Sequence, residues 1–343
     1  MCVSALDRYA ARCVNFVLVV PRIVVRGARS APRETSNQPR ALVQYRSERP
    51  WLIGAVLIVA GVVSAQQGPA QFSAEWYQQF RGPYSAPVEP FKIVGNIHYV
   101  GGANISSYLI TTPQGHILID TGMKEMHEVI KNSVAKLGFK TADIKIMLSS
   151  HAHFDHIEGH AMMQKLTGAQ VMAMVGDAEA LAAGKDNSAL GAIGWEPVKV
   201  ARVLKHGDTV SLGGTTLRAL HTPGHTQGAT TWITTVQDGG RQYTVGFLGG
   251  TTPNGGVPLF DNSRHKSVIE DTQRTFKTLK AEKVPDIYLV GHAQAMFAGK
   301  IDRIKAGATP HPLLNGEAWT KQIVEGEANF AKRVAEERAK LKK

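Results

Sequence analysis

His151-Ala152-His153-Phe154-Asp155-His156 places four potential metal ligands within six residues, directly after the apolar run Ile144-Lys145-Ile146-Met147-Leu148. That run has the length and β-branched content of a short buried strand. Alternate side chains at a strand end point to one side, so His151 and His153 can converge on one point. Asp155 and His156 lie where the chain turns, and can face a second point close by. Imidazole and carboxylate are ligands that zinc accepts, and a catalytic site keeps one position open for water. A second ion about 3.5–4 Å away lets the pair share a water and ionise it near neutral pH. Each point then needs one more ligand. Among the 13 histidines, His225 in Thr222-Pro223-Gly224-His225-Thr226 and His292 in Val290-Gly291-His292 follow glycines at strand ends, where they can complete the two sites. The other histidines read as structural or surface residues, with His160 and His221 the nearest candidates for a place behind the ligands.

The pattern around this motif repeats loosely in two halves. Phe91 to Val100, Ser107 to Thr112 and His116 to Ile119 read as strands, and the last ends at Asp120-Thr121-Gly122. Met126, Val129, Ile130, Val134 and Leu137 fall at helical spacing before Gly138, and a helix is expected over Glu158 to Leu166. Gln170 to Met174 is another strand. In the second half, strands are expected at 210–212, 216–220, 230–236 and 243–248, with Asp238-Gly239-Gly240 as a hairpin turn. A helix near Ile269–Leu279 precedes the strand Ile287–Val290, and the tail from Glu317 carries a stripe of Trp319, Ile323, Phe330, Val334 and Leu341. Strands in two sets with helices after each predict a sheet-on-sheet core with helices outside. No low-complexity linker divides 90–315, so residues 91–343 read as one catalytic domain with a C-terminal helix.

Residues 1–65 read as a leader. Arg46 and Arg49 precede an apolar run from Trp51 to Val63, and Val63-Ser64-Ala65 is a small-residue cleavage site, with cleavage expected after Ala65. The run is shorter than the roughly 20 residues that span a bilayer, so a secretory signal peptide, a periplasmic or secreted protein and no membrane attachment after cleavage are expected. Residues 66–90, with Trp76, Tyr77, Phe80 and Tyr84, read as an extension packed on the domain. The net charge is +11, but nine basic and three acidic residues fall in 1–65, which leaves 30 basic and 25 acidic residues beyond it. With that small surplus, and no basic run interleaved with aromatics, no nucleic-acid partner is expected. Both cysteines, Cys2 and Cys13, lie in the leader, so the remainder offers no thiolate and no internal disulfide.

The hexad, with Leu118-Ile119-Asp120-Thr121-Gly122 before it and Thr222-Pro223-Gly224-His225 after it, resembles the metallo-β-lactamase superfamily over about residues 90–300, with the motifs in family order. The resemblance implies an α+β fold, a four-layer αβ/βα sandwich with metals at one end between the sheets. It implies two Zn2+ per chain, the first held by His151, His153 and His225 and the second by Asp155, His156 and His292. Asp120 would be a buried structural carboxylate behind the site.

Most hydrolase branches of that superfamily, among them glyoxalase II and the homoserine-lactone lactonases, place a bridging aspartate after the strand of the second hairpin. Here the strand reads Val245-Gly246-Phe247-Leu248-Gly249-Gly250-Thr251-Thr252, without a carboxylate. Two β-lactamase subclasses use a cysteine there, and this region has none. What remains resembles the third subclass of class B, with five histidines and one aspartate. The activity implied is zinc-dependent hydrolysis of a β-lactam ring by a metal-bridging hydroxide that Asp155, as the catalytic residue, orients; the alternative is a lactonase or thioesterase on the same site. The subclass commonly has serine about where Gly250 stands, and proline after the last histidine, where this chain has Ala293-Gln294. Ser106, Ser107 and Thr252 are candidate donors to a substrate carboxylate.

Overall fold

The computed structural model describes residues 74–191 and 193–342. The leader and its cleavage site lie outside the described residues. Two sheets carry the architecture. The first holds seven strands in sequence order, β1 (Phe91–Val94), β2 (Ile97–Tyr99), β3 (Tyr108–Thr112), β4 (Gly115–Ile119), β5 (Ile144–Leu148), β6 (Gln170–Met174) and β7 (Val200–Leu204). Its first four strands run antiparallel, and β4 to β7 are parallel. The second sheet has the order β12-β11-β10-β9-β8, from β8 (Thr209–Leu212), β9 (Thr215–His221), β10 (Thr230–Asp238), β11 (Arg241–Leu248) and β12 (Ile287–Val290).

Side-chain alternation assigns every layer. On β3, Tyr108 and Ile110 point between the sheets while Leu109 points outward; on β4, Ile117 and Ile119 oppose Leu118; on β6, Met172 and Met174 oppose Val171 and Ala173. The inward set meets Leu217, Ala219, Trp232, Val236, Val245, Phe247, Ile287 and Leu289 from the second sheet. The outward set packs under the helices α2 (Met126–Lys136), α3 (Phe154–Ile157), α4 (His160–Thr167) and α5 (Asp177–Ala183). Beyond the second sheet, Leu248 meets Val268, Phe276 and Leu279 of α6 (Val268–Ala281) and Trp319, Ile323, Phe330 and Val334 of α9 (Gly316–Lys340), counting the short helices α7 (Gln294–Phe297) and α8 (Ile301–Lys305) between them. Three apolar interfaces between four layers make the αβ/βα sandwich.

The helix α1 (Ala74–Ser85) leads into the first strand, and its buried Arg81 pairs with Glu125 and with Glu158 just past the ligand hexad. Among the described residues no helix is long and apolar enough to cross a membrane.

Three local readings change. The expected strand from Phe91 to Val100 is a hairpin, because Gly95 sits at φ 55° and turns the chain so that Val94 pairs with Ile97. The expected helix over Glu158 to Leu166 is α4, shifted to His160–Thr167, and a separate short helix, α3, precedes it across Glu158 and Gly159. The strand β7 and the helix α5 were not expected at all.

The sheets are stitched together at the end where the motif emerges. Trp232, fully buried on β10, donates its indole N–H to the Ser149 carbonyl at 3.0 Å, and the Thr230 N–H donates to the Ser150 carbonyl at 2.8 Å. On the other flank, the Ser106 N–H donates to the Gly291 carbonyl at 2.9 Å. Trp232→Phe removes one stitch and some packing, and urea unfolding should show a loss of about 1–3 kcal/mol. An unchanged midpoint would mean that the indole bond adds nothing.

Candidate metal centre

The strand β5 ends at Leu148 and delivers Ser149-Ser150-His151 to the sandwich rim; the loop after β9 delivers His225, and β12 delivers Gly291-His292. The six expected ligands meet there as two groups, His151 with His153 and His225, and Asp155 with His156 and His292, each with its ligand atoms within 4.8 Å of one another. The groups adjoin: the rings of His151 and His156 are 4.0 Å apart between centroids.

Four of the five imidazoles are held from behind by one ring nitrogen, which fixes the other as the ligand. The His225 Nδ1–H donates to the Thr252 carbonyl at 2.7 Å. His156 Nδ1 lies 3.1 Å from the Asp120 carboxylate. His153 Nε2 meets the Ser188 hydroxyl at 3.0 Å. His151 Nδ1 meets the Ser150 hydroxyl at 3.0 Å, and that hydroxyl donates to Asp120 at 2.7 Å. The second-group ligand atoms close on one oxygen: Asp155 Oδ2 is 3.5 Å from His156 Nε2 and 3.4 Å from His292 Nε2.

A metal fits this arrangement. His156 is 1% exposed, yet its Nε2 has no hydrogen-bond partner; buried polar nitrogens are rarely left so, and here the atom points at an all-ligand cluster. Burial pushes His151 well below its usual range and His225 down to about 3, so both rings are neutral at pH 7, the form that ligates. Burial would raise Asp155, but the imidazoles of His156, His292 and His153 outweigh it and hold the carboxyl below its ordinary range. Burial also pushes His156 down, and the carboxylates of Asp155 and Asp120 reverse that.

Asp120 is buried in the left-handed region at φ 58°, which Asp tolerates better than most residues. It also accepts the Ser150 N–H at 2.7 Å, so it sits behind both groups without joining either. His160 is likewise no ligand: its Nδ1 meets the Thr121 hydroxyl at 2.7 Å, beside Asp120. His221 bonds the Gln227 carbonyl at 2.8 Å and closes the base of the His225 loop.

The expected substrate contacts fare differently. Ser106 and Ser107 are fully buried with unpartnered hydroxyls, because the backbone stitch at Ser106 turns this segment under the His292 loop. Thr252 is partly exposed, and its carbonyl is what holds His225. The residues that hold the ligands, Ser150 and Ser188, were not anticipated; only the position of Ser150 directly before His151 could have signalled one of them.

The chain matches the family model described as the metallo-beta-lactamase superfamily over residues 100–292. Native FEZ-1 metallo-beta-lactamase from Legionella gormanii superposes with a TM-score of 0.70 at 35% identity, covering 75% of this chain and 99% of that one. BJP-1, a subclass B3 metallo-beta-lactamase of Bradyrhizobium japonicum, gives a TM-score of 0.70 at 37% identity, covering 76% and 98%. A probable metallo-hydrolase of Burkholderia pseudomallei is 29% identical over 107 residues, which is 30% of this chain and only 35% of that relative's length. With the family model matched over more than half its length, and two His/Asp groups that could hold metal at the end of its sandwich, this chain belongs to the metallo-β-lactamase superfamily.

Proposed function

We propose that the chain hydrolyses the β-lactam ring of antibiotics with two zinc ions. The observation that carries this reading is the ligand set itself: five histidines and one aspartate, with Gly249-Gly250 where a bridging carboxylate or a cysteine would otherwise stand. The likeness to structures titled as β-lactamases, at 35% and 37% identity over nearly their whole length, supports it.

His151, His153 and His225 would hold the first ion, and Asp155, His156 and His292 the second. Bound zinc supplies a Lewis acid for the substrate carbonyl oxygen and a water ionised near neutral pH. The protein's part is positioning. Asp155, anionic and at the junction of the two groups, accepts a hydrogen bond from the attacking water and orients it. The hydroxyl of Thr252, at the rim beside His225, can donate to a substrate carboxylate. No side chain of the site serves as a covalent nucleophile, so serine-directed acylating inhibitors have nothing to acylate. We read the leader as sending the enzyme to the periplasm or beyond, which brings it to its substrate ahead of the cell-wall machinery.

Turnover of a cephalosporin, a carbapenem and an acyl-homoserine lactone by protein starting at Gln66 tests the reading. Lactam hydrolysis that a chelator abolishes, with two zincs bound per chain by equilibrium dialysis, is expected. Turnover of the lactone alone would favour the lactonase alternative.

A further inference from the structure

Behind the first ligand group lies a second buried carboxylate. Asp177 begins α5 and is 1% exposed. It accepts three hydrogen bonds of 2.7 Å: Oδ2 takes the backbone N–H of Ala152 and the hydroxyl of Thr226, and Oδ1 takes the backbone N–H of Gly228. Ala152 is the residue between His151 and His153. Thr226 and Gly228 are in the loop that carries His225. One carboxylate therefore grips both loops that build the three-histidine group, although the loops leave different sheets. None of its three bonds goes to the loop bearing His292, and the one to the hexad is made at Ala152, between the two first-group histidines and four residues before His156.

The contact is close-packed as well as bonded. A Cβ on Gly228 would lie 2.4 Å from the Asp177 backbone nitrogen and 2.6 Å from its Cβ, so the His225 loop sits flush on this residue. All three partners are donors, which only an acceptor on both oxygens can satisfy. An amide in its place has one acceptor oxygen and turns a donor toward a donor.

We propose that Asp177 is a positioning residue for the three-histidine site, fixing the separation of the His151–His153 loop from the His225 loop and so setting the metal affinity of that site alone. The proposal rests on the two-metal reading above. Asp120 backs His156 directly and His151 through the Ser150 hydroxyl, whereas Asp177 frames the first group alone, through backbone and Thr226.

The test is cobalt(II) titration of the full chain against a chelating indicator, with Asp177→Asn placed in two backgrounds. His292→Ala leaves only the three-histidine group complete, and His225→Ala leaves only the Asp155 group complete. Asp177→Asn should weaken cobalt binding about 10–100-fold in the first background and less than about twofold in the second. Equal weakening in both, or none in either, overturns the proposal. Should Asp177→Asn not fold, Thr226→Val removes one of the three bonds and should weaken the first background selectively to a smaller degree; no difference between backgrounds again overturns it. A parent chain that binds no cobalt would sink the metal reading itself, whereas a parent that binds two ions with no selective loss sinks only the role of Asp177.

Discussion

His151→Ala should lower kcat/KM for a β-lactam by more than about 100-fold while the chain keeps its fold. Residues that merely orient metal ligands cost about 10–100-fold when replaced, and His151 is a proposed ligand with one such residue, Ser150, behind it at 3.0 Å. Its ring also lies against those of His153, His156 and His225, with centroids 4.9, 4.0 and 4.5 Å away, so its loss opens both groups. A 100-fold loss corresponds to about 2.7 kcal/mol of transition-state stabilisation. The fold should survive because the imidazole contacts other ligands rather than the three apolar layers. Steady-state kinetics beside circular dichroism and metal content decide the matter. Activity within tenfold of the parent, in a protein still holding its metal, would remove His151 from the proposed machinery.

The second large effect is expected from a substitution that restores what the subclass commonly carries. A Cβ at Gly250 would lie 2.2 Å from Cδ2, 2.3 Å from Cγ and 2.7 Å from Cβ of His225. Distances under about 3 Å are sterically closed, and the neighbour here is a ring pinned at 2.7 Å to the Thr252 carbonyl. Gly250→Ser should therefore expel His225 from the first group and cut turnover by more than about 100-fold, beyond the cost of replacing a residue that only orients a ligand. Gly250→Ala should do the same, since the obstruction is the Cβ and not the hydroxyl. If Gly250→Ser matches or exceeds the parent in turnover and zinc content, the packing of His225 on this glycine is not what shapes the site.

The ligands were legible because their signal is local. An apolar strand followed at once by His151, His153, Asp155 and His156 needs no tertiary information, and glycine before His225 and His292 marks strand ends. The parallel and antiparallel strands around the core were legible for the same reason, through alternation. What holds the ligands was not. Ser188 lies 35 residues from His153, and the approach of α5 to two loops depends on how two sheets meet. Strand β7 escaped notice because three of its five side chains are exposed, so no burial pattern marks it. The burial of Ser106 and Ser107 was not legible either, because it depends on backbone bonds between residues 104–106 and the distant loop at 291–293.

The two sheets contribute unequally to each ligand group: the first sheet supplies His151, His153, Asp155 and His156, and the second supplies His225 and His292. Each ion would thus act as a rivet through both plates of the sandwich. Anything that binds the folded chain and not the unfolded one adds stability that grows with the logarithm of its concentration. The lifetime of this protein against proteases would then track the zinc available to it, and zinc starvation would thin out the enzyme as well as silence it.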